Sequence, residues 1–207
     1  MIEKYSGDLL LTPCPTVLVT VKHKDIENVL TVSWAGIASS HPEYVTIAIN
    51  SKRFSHALIT QSSKFCIGIP SFDMLDSVDF CGSFSGRNVD KFAACGFKKK
   101  YIGEYLLIEQ CKFHILCDVV NIIELGSHHL FIAKVADKYW DSETCEHIHK
   151  NLDPIAYFRP YYYRLERSDC GFYGYTMKRC EENNRTFSAE LNEKATLRQS
   201  KTQEDSE

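Results

Sequence analysis

The sequence predicts a mainly β chain whose strands run antiparallel and close into a barrel. Three observations predict it. β-Branched and alternating runs recur through the first 165 residues. Helical stretches between them are few and short. Polar links of turn length join neighbouring runs, and the long crossovers that parallel strands require are scarce.

Each element follows from its local pattern. Residues 16–23 (TVLVTVKH) and 28–36 (NVLTVSWAG) are β-branched runs, and the polar link KDIE between them predicts a hairpin. Residues 43–50 (EYVTIAIN) alternate, with Tyr44, Thr46, Ala48 and Asn50 on one face and Val45, Ile47 and Ile49 on the other. Residues 64–70 (KFCIGIP) form a short buried strand that Pro70 stops. The clearest period of two lies in residues 109–125, where Cys111, Phe113, Ile115, Cys117 and Val119 share one face. Gln110, Lys112, His114 and Asp118 fall on the other, with Leu116 the exception, so one face is expected in a core. A turn containing Gly126 then leads into residues 129–140, and the two runs should pair. Residues 54–63 fit a helix with Ser55 as its N-cap. Residues 88–95 fit a short one ended by Gly96, and residues 72–81 a third.

The length of 207 residues, with 44% apolar and 25% charged side chains, suits one globular domain with room for an extension. We place that domain at 1–165 and an extension at 166–207, charged and poor in apolar residues from about Arg179. A sequon at Asn184-Arg185-Thr186 carries no weight without a secretion signal. The net charge of −3 and the lack of a basic, aromatic-interleaved stripe give no reason to expect a nucleic-acid partner. No run reaches the roughly 18 apolar residues of a membrane span. Pro13 and Pro15 interrupt the one N-terminal stretch that resembles a signal. Nine cysteines, an odd number with no Cys-x-x-Cys pair, indicate free thiols and a cytoplasmic location rather than a disulfide framework or a zinc ribbon. Cys66, Cys111 and Cys117 read as small buried hydrophobes.

Standard chemical motifs are missing. There is no Walker sequence, no G-x-G-x-x-G after a strand, no His-Glu-x-x-His and no G-x-S-x-G. His147 and His149 lack further ligands at metal spacing, so no metal site is assigned. Cys81 and Cys95 flank the basic residues Arg87 and Lys91, but no Cys-His partnership is visible, and a structural role is the simpler reading. Three polar stretches remain. Residues 31–44 carry Ala35, Gly36, Ala38, Ser39 and Ser40, whose small size exposes backbone N–H groups. Residues 50–59 (NSKRFSHALI) set Lys52, Arg53, Ser55 and His56 at a strand-to-helix junction, where cations and a helix start together suit an anion. Residues 83–92 (SFSGRNVDKF) place Arg87 and Lys91 at another helix start. Together the three suit a phosphate and a flat polar heterocycle.

At this level the sequence resembles the flavin reductase-like FMN-binding split-barrel family, its flavoredoxin-like branch in particular. The likeness rests on residues 28–59, on the Ser-Gly-Arg-x-x-Asp-Lys-Phe segment at 85–92, and on Gly126 and His128 within LGSHHLFIAKV, where Ser127 replaces the family's acid. It spans about residues 8–165; Glu43 stands where the family often has a second proline. The resemblance implies a six-stranded antiparallel Greek-key barrel with a few short helices, a homodimer, and FMN near the subunit interface. It implies that Thr31, Val32, Ser33 and Trp34 border the isoalloxazine, and that Ser39 and Ser40 lie near the ribityl-phosphate. Asn50, Lys52, Arg53, Ser55 and His56 would complete that end, with Arg87 and Lys91 adding charge, and His128 would approach from the far hairpin. His128 and His56 are the candidates for steering protons. The implied function is an oxidoreductase passing electrons from NADH, NADPH or another donor through FMN to an acceptor. The alternatives are a flavoredoxin-like carrier serving a redox protein partner, and a flavin-binding module without turnover.

Overall fold

Valine, isoleucine, threonine and aromatic residues favour pleated, half-buried surfaces, and they set this architecture. The computed structural model describes residues 2–7, 9–141 and 152–165. Expectations for His147, His149, the sequon at Asn184 and the charged extension lie outside the described residues.

The first half of the described chain holds β1 (Cys14–Pro15), β2 (Val17–His23), β3 (Ile26–Val32), β4 (Ala35–Ser40), β5 (Glu43–Asn50), α1 (Phe54–Ser62) and β6 (Lys64–Ile69). A 3-10 turn at Phe72–Met74 leads into α2 (Leu75–Ser83), and α3 (Lys91–Ala94) follows. Then come β7 (Lys99–Ile102), β8 (Tyr105–Ile108), β9 (Phe113–Leu125), β10 (His128–Trp140), β11 (Ile155–Phe158) and β12 (Tyr161–Arg164). The β2–β3 hairpin turns on Lys24 and Asp25, with Lys24 at a φ of 54°. Gly126, at a φ of 72°, turns β9 into β10 as its lack of a Cβ permits. Gly96, at a φ of 63°, follows α3, which is shorter than expected because Asp90 caps it by accepting from the N–H groups of Phe92 and Ala93.

Every strand pair is antiparallel. The main sheet has seven strands in the order β3-β2-β6-β9-β10-β5-β4, beside a three-stranded sheet β1-β11-β12 and the β7-β8 hairpin. The expected six-stranded barrel is therefore not formed. Closure requires a ladder between the outer strands, and this sheet ends at β3 on one side and β4 on the other. Those two edges are consecutive in the chain, separated only by Ser33 and Trp34. The Cα atoms of Val32 and Ala35 thus lie at most about 11 Å apart, so the sheet curls until its edges approach. The link is covalent rather than a ladder, because the Trp34 carbonyl turns to accept from the N–H of Ala48 in β5 at 2.8 Å.

The concave side of the curl is the main core. It takes Val17, Val19 and Val21 from β2, Val45, Ile47 and Ile49 from β5, and Phe65, Cys117 and Phe131. Helix α1 seals it with Leu58 and Ile59. The alternation read in residues 43–50 is the one observed, with Val45, Ile47 and Ile49 buried. A second core forms on the convex side, where α2 and α3 cover Leu18 and Val29 with Val78, Cys81 and Phe92. The one-sided strand expected over 109–125 needs correction: the strand starts at Phe113, and both of its faces are buried near the start. The β7–β8 hairpin packs over its outer face, so Leu116 joins Cys66 and Leu107 there. His114, 7% exposed, bonds the Ile108 carbonyl through Nε2 at 2.9 Å.

Candidate functional site

The junction between β5 and α1 begins with an Asx turn. The N–H of Lys52 donates to Asn50 Oδ1 at 3.0 Å, and that of Arg53 to the Asn50 carbonyl at 2.9 Å. Arg53 then occupies the N-cap of α1 and gives the helix no side-chain cap, which leaves first-turn N–H groups open toward the cleft. Ser55 is not the cap expected from the sequence. It lies inside the helix, 1% exposed, and its Oγ accepts from Asn28 Nδ2 at 2.7 Å. The loop after α2 presses onto the same asparagine: a Cβ on Gly86 would fall 2.1 Å from Asn28 Oδ1. Only glycine passes there.

These elements enclose a cleft of about 400 Å³ lined by Lys52, Arg53, Ser55, Ser85, Arg87 and Lys91 among others. Among the described residues, no carboxylate lines it. Three of the four cations are steered by neutral groups instead. Arg53 Nη1 donates to the Gly82 carbonyl at 2.9 Å, and Arg87 Nη1 to the Lys52 carbonyl at 3.2 Å, with the Arg87 guanidinium 5.2 Å from the Phe54 ring centroid. Lys91 is only 3% exposed; its Nζ donates to the carbonyls of Val29 at 2.9 Å and Cys81 at 2.7 Å. Burial lowers the Lys91 pKa, opposed by Cys81 and reinforced by Arg53. None of the four belongs to an ion pair among the described residues. Lys91 alone of the four is buried, and its positive charge is met only by neutral carbonyls, so an anion in the cleft would offset the cost of burying it.

A second cleft of about 430 Å³ adjoins the first and shares Leu30, Asn50 and Arg53 with it. Its walls are Thr31 to Trp34 at the β3 edge, Ala48 and Ile49 of β5, His128, Tyr157 and Arg159. Trp34 is 51% exposed, and its ring lies 4.6 Å from that of His128 at 45°. His128 Nδ1 pairs with Ser127 Oγ at 2.9 Å. Burial, then Arg53, lowers the His128 pKa and keeps the imidazole neutral. The Thr31 hydroxyl donates to the Val78 carbonyl and so ties the cleft wall to α2.

Of the residues singled out in the sequence, Thr31, Val32, Ser33, Trp34, Asn50, Lys52, Arg53, Ser55, Arg87, Lys91 and His128 line these two clefts. Three others do not. Ser39 and Ser40 belong to edge strand β4, opposite Tyr44 and Glu43, and by strand rise they sit about 20 Å from Asn50. The polar loop read there is a strand. His56 lines neither cleft: its Nε2 meets His129 Nδ1 at 2.9 Å and its ring lies 5.3 Å from Phe131 of the main core. Burial and His129 lower its pKa. Conversely, the sequence reading missed Asn28, Tyr157 and Arg159. Asn28 had a faint signal, a polar residue in register with the inward-facing Leu30 and Val32; the other two had none.

Among the described residues no cluster of three or more metal-ligating side chains occurs, and no helix is long and apolar enough to cross a membrane. Comparison with known proteins gives a consistent answer. The model of the flavin reductase like domain family matches residues 9–166. An uncharacterized protein of Pyrococcus abyssi is 32% identical over 146 residues, covering 70% of this chain and 85% of its own. Among solved structures, the flavoredoxin of Desulfovibrio vulgaris superposes with a TM-score of 0.74 at 25% identity, covering 83% of this chain and 97% of that one. An FMN-binding protein from Thermus thermophilus gives a TM-score of 0.72 at 21% identity, covering 83% of this chain and all of that one.

Proposed function

The chain belongs to the flavin reductase-like domain family, and we propose that it is an FMN-binding oxidoreductase drawing electrons from NADH or NADPH and passing them to an acceptor. The observation that carries this reading is the division of the cleft. A cationic compartment without carboxylates runs directly into a flatter compartment walled by strand edges, a tryptophan and a neutral histidine. Both volumes fall within the usual range of ligand sites, about 300–1,000 Å³.

The residues fit FMN on their own chemistry. Lys52, Arg53, Arg87 and Lys91 hold the phosphate, with the open N–H groups of α1 adding donors. Asn50 and Arg53, common to both compartments, mark the passage of the ribityl chain. Backbone groups of Thr31 to Trp34 border the ring. FMN, when bound, supplies two-electron chemistry that no side chain here offers. His128 is fixed through Nδ1 by Ser127, so Nε2 is the atom that moves a proton at the cleft. His56 lines neither cleft and acts only through His129.

Two further features complete the proposal. Exposed Ile37 on edge strand β4, with Val120, Ile123 and Leu125 on β9, offers apolar surface for a second copy, so we propose a homodimer. Light scattering should return twice the chain mass of 23.7 kDa. The six free thiols among the described residues suit a reducing, cytoplasmic setting. A second reading, an electron carrier for a redox protein partner, is favoured by the likeness to flavoredoxin. One experiment separates the readings: the absorption spectrum of the purified protein with added FMN, then steady-state oxidation of each nicotinamide. A flavin spectrum with turnover supports the oxidoreductase. A flavin spectrum without nicotinamide oxidation supports the carrier or a module without turnover, and no flavin binding overturns all three.

A further inference from the structure

The segment that lines the cationic compartment runs from the last turn of α2, which holds Cys81, to the end of α3 at Cys95. Those two sulfurs lie 3.9 Å apart. Both residues also hold Lys91 directly. The Cys81 carbonyl accepts from Lys91 Nζ at 2.7 Å, and the Cys95 N–H donates to the Lys91 carbonyl at 3.0 Å. The carbonyl after Cys81, that of Gly82, accepts from Arg53. The thiol pair thus stands at the root of the loop and beside both residues that aim buried or shared charge into the cleft. Cys81 is fully buried and Cys95 is half-buried, so the two differ in what can reach them.

We propose that Cys81 and Cys95 form a modification site, oxidised by a hydroperoxide to a disulfide that loosens the hold of the cleft on its anion. The chemistry balances within the pair and the oxidant. Cys95, the accessible sulfur, attacks the peroxide: an S–O bond forms, the O–O bond breaks, and water leaves a sulfenic acid at Cys95. Cys81 then attacks that sulfur: the S–S bond forms, the S–O bond breaks, and the thiol proton leaves with hydroxide as a second water. The two thiols lose two electrons, and the peroxide gains them. Burial, then the neighbouring Cys95, pushes the Cys81 thiol up to about 12, while Lys91 opposes this. Cys81, fully buried, is out of reach of the peroxide and therefore takes the second step, which needs only the neighbouring sulfur 3.9 Å away.

Bridging closes the sulfur separation from 3.9 Å to the roughly 2.05 Å of a disulfide, by side-chain rotation and by a pull on the two segments that carry the cysteines. The Cys81 segment carries one of the two carbonyls that hold the Lys91 ammonium, and the Cys95 segment carries the N–H that holds the Lys91 backbone, so a shift of either moves the ammonium from its place in the cleft. The modification itself is independent of the flavin reading, and its effect on FMN rests on that reading.

The test uses the full chain, reduced and desalted, then treated with hydrogen peroxide. Peptide mapping should find a Cys81–Cys95 disulfide and the loss of two hydrogens. FMN titration should show affinity lower by roughly tenfold or more, the size of one lost charge-assisted bond, and dithiothreitol should restore it. Cys95→Ser should match the reduced wild type in FMN affinity and show no response to peroxide. Thiols that stay unbridged, a Cys95 carried to sulfinic acid, or a bridge to another cysteine would overturn the site. A mapped Cys81–Cys95 bridge with unchanged FMN affinity would overturn the coupling. A reduced protein that binds no FMN would instead sink the flavin reading, with the mapping still deciding the bridge.

Discussion

The two compartments of the cleft are built in opposite ways. In the cationic compartment three of the four charges are held by backbone carbonyls from other elements: Lys91 by β3 and α2, Arg53 by α2, Arg87 by the β5–α1 turn. In the ring compartment the prominent side chains, Trp34 and His128, lean on each other and remain partly exposed. On the proposed function, the first arrangement would fix where an anion sits. The second leaves one side of a flat ligand open to a reaction partner. The difference teaches that binding strength and reactivity are separable here, because their residues share only Leu30, Asn50 and Arg53.

The largest expected effect falls on Lys91, which combines both kinds of work in the cationic compartment. Lys91→Met leaves two carbonyls without their donor, at about 1–3 kcal/mol for each buried group left unsatisfied. Urea unfolding without ligand should show that loss, and FMN affinity should fall as well. If stability stays at the wild-type value, the two carbonyl bonds are not the anchor described here.

Arg53→Ala comes next and sharpens the comparison. Arg53 is exposed and makes one carbonyl bond, so stability should change little. FMN should lose about 1.5–3 kcal/mol of binding, roughly 10- to 150-fold, as for a charge-assisted bond to phosphate. Riboflavin lacks the phosphate and should barely respond. Trp34→Ala is the mirror test: both ligands should weaken alike, by about 0.5–1.5 kcal/mol for a lost ring contact. Equal responses of the two ligands to Arg53→Ala, or a selective response to Trp34→Ala, would break the division of labour.

The sequence was legible where a signal is local. The alternation of 43–50 and the Gly126 turn depend on neighbours a few residues apart, and each stands as read; the basic residues Lys52, Arg53, Arg87 and Lys91 do come together in one cleft. What was not legible depends on distant contacts. The outer face of β9 is covered by a hairpin from residues 99–108, so His114 is buried although its position in the alternation is polar. Sheet closure turned on one carbonyl, that of Trp34, finding β5. Ser55 and His56 were read as partners, but successive helical residues point about 100° apart. When Ser55 turned to Asn28, His56 was carried to β10. His128 and His129 diverge for the related reason that adjacent strand residues face opposite sides.

That divergence yields the smallest and most local prediction. His56 and His128 both have lowered pKa values, and burial is the leading cause for each. The second cause differs: His129 for His56, Arg53 for His128. A lowered folded value means that the unfolded chain binds more protons in the window between the two values. Stability is therefore full above the ordinary histidine pKa of about 6.5 and declines as pH falls below it toward the folded values. Imidazole resonances followed by NMR should report both residues titrating below ordinary histidine. Arg53→Ala should then raise the His128 titration point and leave that of His56 where it was. Two imidazoles that move together would mean that Arg53 acts across the whole sheet, and the two faces of β10 would no longer be electrostatically distinct.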